Sequence, residues 1–183
     1  MIEIIGQVVG FLALGVVIAS YQVFDDRYFY ILKGVTYTLM ATHFLMLGAM
    51  TGASQNLIGM LRNFTYLKGY QKAAIWVSVF AFIGIGFFTV QSVIDTLPII
   101  SNVACSLVML FFTGLVVRIV YWSGCILWLI YALEHVSYAG MINETIMFVS
   151  ASVGIIRMLK ECYMPERDSY IPEVTPSQDS RWP

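Results

Sequence analysis

Charged side chains are scarce in this chain. Only 11% of its 183 residues are Asp, Glu, Lys or Arg, against roughly 25% in a soluble domain. The shortage excludes a surface solvated by water on every side, and a net charge of −1 leaves no basic face for nucleic acid. Cysteine is scarce too. Cys105, Cys125 and Cys162 stand far apart, the first two inside apolar runs. That spacing builds neither a disulfide framework nor a zinc site and points to buried free thiols. The chain holds no GxGxxG, Walker loop, HExxH or CxxC. No His, Cys or carboxylate set has ligand or triad spacing, so the expectation is a non-enzyme with no metal and no cofactor. The N-terminus carries Glu3 and no Lys or Arg before its first apolar run. This reads as an uncleaved helix, not a signal peptide.

What is abundant is apolar residue: 59% of the chain, with a mean hydropathy of +0.79. The composition is that of an all-α integral membrane protein with the lipid bilayer as its first partner. One bilayer crossing takes about 20 helical residues. Apolar runs bounded by turn and charge signals predict seven, at about 3–23, 29–49, 53–68, 73–93, 97–116, 119–135 and 141–159. The third run is the most polar, with Gln55, Asn56, Arg62 and Asn63. Helix is still required there, because backbone at lipid depth must satisfy its own hydrogen bonds.

Loop charges test that count. With the N-terminus outside, the inner loops and tail receive Arg27, Lys68, Lys72, Arg118, Arg157, Lys160, Arg167 and Arg181. The outer loops then hold Asp95, Glu134 and His135 but no Lys or Arg. Omitting the third crossing would scatter the basic residues over both faces, against the positive-inside rule. The chain is therefore read as N-terminus outside and C-terminus cytoplasmic. Residues 162–183 are polar and proline-containing, and read as a disordered cytoplasmic tail.

Seven crossings divide as three, one and three. A shift of 88 positions lays Leu39 on Leu127, Leu45 on Leu133, Gly52 on Gly140 and Ile58 on Ile146. It also lays Gln55 on Asn143 and Asn56 on Glu144. The expected organisation is one three-helix repeat over 1–70, a linker helix over 71–94 and a second, parallel repeat over 95–161. A single linker helix restores the orientation of the second repeat.

On a helix, Asn56 and Asn63 share a face, and so do Asn143, Ser150 and Gly154. Two such stripes facing each other would line a cavity with amides, which donate and accept and so suit a neutral polar solute. Alternatively, the same groups tie helices together, each bond worth about 0.6 kcal/mol. Arg62 either faces the interior or reaches towards an interface near Lys68. Lys33 reads as reaching the inner headgroups, and Glu144 as a helix-start residue. His43 is the one group able to titrate near neutrality inside the bundle, though a neutral, hydrogen-bonded ring is the simpler reading.

The plan resembles the SWEET and PQ-loop transporter superfamily. "NLIGMLRNFTY" is similar to the SWEET pattern of Asn, then Gly, an acid and Tyr at three, seven and ten residues on. Asn56, Gly59 and Tyr66 match, and Asn63 stands where the acid is expected. "WLIY", from Trp128 to Tyr131, resembles a Trp-x-x-Tyr of SWEET pockets. "SYQ" puts Gln22 at the Gln of the Pro-Gln motif, with Tyr21 in the place of the proline. From "GFLALGVVIASYQ" to "THFLMLGAMTGASQNLIGMLRN" the chain also looks like the YgjV-type bacterial inner-membrane family, a likeness that runs to about residue 160.

These resemblances imply alternating access around a site near the bilayer midplane. The substrate-binding candidates are Asn56, Asn63, Trp128, Asn143, His43 and Tyr131. Met40 and His43 occupy the first-repeat places of Trp128 and Tyr131, so half of the aromatic pair is missing. The expected partner is a sugar-, nucleoside- or vitamin-like solute. The alternative is a non-transporting receptor or scaffold on the same fold. A homo-oligomer is left open.

Overall fold

The computed structural model describes residues 1–20, 26–112 and 115–163, side chains at a few of these positions excepted. The readings placed on Tyr21, Gln22, the side chain of Tyr66 and the tail from residue 164 lie outside the described residues. Seven helices and no strand occur among those described: α1 (Ile2–Ser20), α2 (Asp26–Met46), α3 (Met50–Leu67), α4 (Gln71–Thr89), α5 (Thr96–Phe111), α6 (Leu115–Glu134) and α7 (Tyr138–Tyr163). Each of the seven apolar runs is thus one helix. α5 is shorter than its run because Phe112 leaves the helix in an extended conformation.

By length and composition, α1, Lys72–Thr89, α6 and Tyr138–Lys160 are long and apolar enough to cross a membrane. α5 is apolar but shorter. α2 and α3 are the polar pair, and their polar groups find partners within protein. Thr36, Thr38 and Thr42 each donate to the carbonyl one turn back, so their hydroxyls need no water. α3 is enclosed by α2, α4 and α5. Gln55 donates to the Phe82 carbonyl and accepts from Asn102, while Thr51 donates to the Thr89 carbonyl. The outside of the bundle has the opposite character. Phe87 and Phe88 are 80% and 86% exposed, whereas Gln55, Thr51, His43 and Ser106 are buried. An apolar exterior around a polar interior suits lipid and not water as solvent.

Consecutive helices pack on one another, and α1 closes on α7 while α3 reaches α5. The buried core of Ala13, Met40, Phe44, Ala49, Ala53 and Tyr131 lies towards the N-terminal end, where the α2–α3, α4–α5 and α6–α7 connections also lie. Two of those connections have the same hydrogen bonds under the shift of 88. After α2, Gly48 N–H donates to Leu45 and Ala49 N–H to Phe44. After α6, Val136 N–H donates to Leu133 and Ser137 N–H to Ala132. This is the Schellman pattern, whose turn residue takes a left-handed φ: +75° at Gly48 and +48° at Val136. Ala49 and Ser137 then start the next helix by accepting from Ala53 and Met141.

Candidate functional site

A cavity of about 170 Å³ lies inside the bundle. Its lining comes from α1, α2, α3, α5, α6 and α7, and no residue of α4 takes part. It begins beside Phe44, Ala132 and Gly140, near the N-terminal end, and continues towards Lys33 and Tyr121. Those two lie roughly 10 Å along their helices from the opposite end, at 1.5 Å per residue.

Of the expected site residues, Asn56, Trp128 and Asn143 line this cavity. Asn63, His43 and Tyr131 do not. α3 and α7 both border the space without packing on each other. The lining also has groups that the hydropathy reading placed elsewhere. Lys33, read as reaching the headgroups, and Glu144, read as a helix-start residue, both line the cavity, and Arg62 lines it too, in keeping with the interior one of its two readings. Asn102 and Cys105 of α5 join them. One signal for Glu144 was present in the sequence, since the shift of 88 lays it on Asn56. α5 gave no such signal, because its polar residues are diluted by an apolar run.

The lining groups are held in specific ways. Asn56 Nδ2 donates to the Gly52 carbonyl (2.8 Å), leaving its carbonyl oxygen outside that bond. Asn143 Nδ2 donates to Glu144 Oε1 (3.0 Å). Arg62 Nη1 donates to Ser106 Oγ (2.8 Å), and that hydroxyl donates to the Asn102 carbonyl. The Arg62 guanidinium also lies 5.7 Å above the Phe82 ring. Trp128 packs against Phe44 and Tyr131, with ring centroids 5.9 and 5.8 Å away. Together the three rings fill the space next to the N-terminal end of the cavity.

His43 and Tyr131 lie in that end and tie the two halves of the chain together. His43 Nδ1 is 2.7 Å from the Gly6 carbonyl, which can only accept, so Nδ1 carries the proton. Nε2 then accepts from Ser137 Oγ (2.6 Å), which itself accepts from Gly140 N–H. Tyr131 Oη accepts from Gly52 N–H (2.7 Å), and Gln7 Nε2 donates to the Val136 carbonyl. Close helix approach makes these bonds reachable. A Cβ at Gly10 would stand 2.7 Å from both the Ala139 Cβ and the His43 ring.

In the nearby α4–α5 connection, Asp95 is within 3.1 Å of His135 Nε2 and accepts from the Gln91 and Ser92 N–H groups. Burial raises the Asp95 carboxyl, but these hydrogen bonds outweigh it and hold the group below the usual carboxylate value.

A helical bundle with an apolar exterior, several helices fit to span lipid and buried polar groups around an internal cavity defines a polytopic membrane protein. The chain belongs to the bacterial inner membrane protein family Imp-YgjV, whose family model matches residues 4–162. It is similar to the inner membrane protein YgjV of Escherichia coli (strain K12), 24% identical over 178 residues and covering 94% of each chain. No solved structure matches it.

Proposed function

We propose that this protein is a multi-pass transporter of a small polar solute in the bacterial inner membrane. It works by alternating access between two parallel three-helix repeats joined by α4, with N-terminus outside and C-terminus cytoplasmic. One observation carries the reading: a cavity with amides and charged side chains in its lining, drawn from both repeats and not from the linker, inside a bundle whose outer face is apolar. The repeated Schellman turn supports the two-repeat organisation. The bonds of His43 and Tyr131 tie the two halves together at the end expected outside. The cavity is close in size to one of ~150 Å³ that holds benzene. That favours a solute below the size of a nucleoside in this state.

The test is uptake into proteoliposomes across a panel of sugars, amino acids and small organic acids. Flux above protein-free vesicles is expected for at least one class, with a loss of roughly tenfold or more in an Asn56→Ala, Asn143→Ala double variant. Undiminished flux in that variant rejects the site. Binding without flux favours the non-transporting receptor.

A further inference from the structure

The amides alone would suit a neutral solute, but the charges in the cavity do not. Lys33, Arg62 and Glu144 line it, two cations against one carboxylate. Glu144 is already served: Asn143 and the Cys125 thiol hydrogen-bond to it, and it lies in the field of Lys33. Arg62 is not. Its partners are the neutral Ser106 hydroxyl and the face of Phe82, and among the described residues no Asp or Glu pairs with it. A guanidinium has five N–H donors in a planar fork, of which Ser106 takes one. Fixed along one edge at membrane depth, it is a costly charge that an anion would neutralise. A carboxylate fits that fork through two parallel bonds.

We propose that the cavity binds a small solute through a carboxylate seated on Arg62. The proposal deepens the transport reading and rests on it. A cavity of about 170 Å³ takes a molecule of roughly benzene size, which limits the solute to a small organic acid or a small amino acid. In an amino acid, the ammonium would be directed to Glu144. The lone carboxylate of a simple acid would be shared between Arg62 and Lys33. Both have the same seat for the anion.

The experiment uses the purified full chain and three radiolabelled solutes of similar size, propionate, alanine and propane-1,2-diol, in equilibrium binding. Saturable binding of propionate or alanine, with none of the diol, is expected. Arg62→Gln should weaken carboxylate binding about tenfold or more, from loss of a charge-assisted bond. Arg62→Lys should restore part of it. Diol binding equal to propionate, carboxylate binding unchanged in Arg62→Gln, or no carboxylate binding to the parent chain would each overturn the proposal. If Arg62→Gln does not fold, the three solutes on the parent chain decide alone. Flux of whichever solute binds, measured against protein-free vesicles, tests the carrier separately. Binding without flux keeps the anion seat and sinks the carrier, and flux of the diol alone does the reverse.

Discussion

α3 and α7 start in the same way with different residues. Each follows a Schellman turn, and each has a glycine at its third position, Gly52 or Gly140. The N–H of that glycine is one of the orphan donors at a helix start, and in both places a hydroxyl oxygen accepts it. At Gly52 the acceptor is the phenol of Tyr131, reaching over from α6. At Gly140 it is Ser137, the N-cap of α7 itself, which His43 of α2 holds from the other side. His43 and Tyr131 are 88 positions apart, as are Ala49 and Ser137. A tyrosine facing an alanine cap and a histidine facing a serine cap do the same work, because a phenol oxygen stands about where imidazole plus serine hydroxyl would place one. The backbone arrangement is shared while the side-chain chemistry is exchanged.

The largest effect that would break this likeness is at Gly52. A Cβ there would come 2.7 Å from the Tyr131 ring and 3.0 Å from Phe44, both fully buried. Gly52→Ala should cost about 3 kcal/mol by overpacking. At Gly140 the nearest obstacle is the Ser137 hydroxyl, with the Ala132 Cβ 3.2 Å away, so Gly140→Ala should cost less. Reversible unfolding of detergent-solubilised protein measures both, and equal costs would mean that the rings of the first site yield as easily as a hydroxyl.

A middle effect tests whether the chemistry is interchangeable. Tyr131→Phe leaves the Gly52 N–H without its acceptor and should cost about 1–3 kcal/mol. Adding Ala49→Ser gives α3 the cap that α7 already has and should recover about 1 kcal/mol. The same assay reads it. If the second substitution recovers nothing, the two starts are alike in outline only.

The smallest effect concerns the turns. Val136 pays a penalty that Gly48 avoids, since a left-handed φ costs a non-glycine residue roughly 1–2 kcal/mol. Val136→Gly should therefore raise stability by up to about 1 kcal/mol. Gly48→Val should lower it by about 1–2 kcal/mol through strain alone, because a Cβ there meets nothing within 4 Å. A shift in melting temperature of opposite sign for the two variants is the expected result.

The seven segments, and the glycine that recurs 88 positions apart, were legible in the chain because hydropathy and turn chemistry are local. α3 shows where that legibility stops. Its polar residues were visible at once, but they divide between packing and cavity. Gln55 turns to α4 and α5, Asn56 lines the cavity and Asn63 does not. His43 shows it again, because a helical position says nothing of a serine 94 residues away that donates to its ring.

Composition and period alone established a membrane-embedded helical bundle with a polar interior, since the free energy of placing each segment in lipid depends on that segment's own residues. Which of its charges meet around one space, with Arg62 beside Ser106 and Glu144 opposite Lys33 in sign, was decided only by the packing of distant helices. The direction and partner of a buried charge depend on neighbours that are remote along the chain.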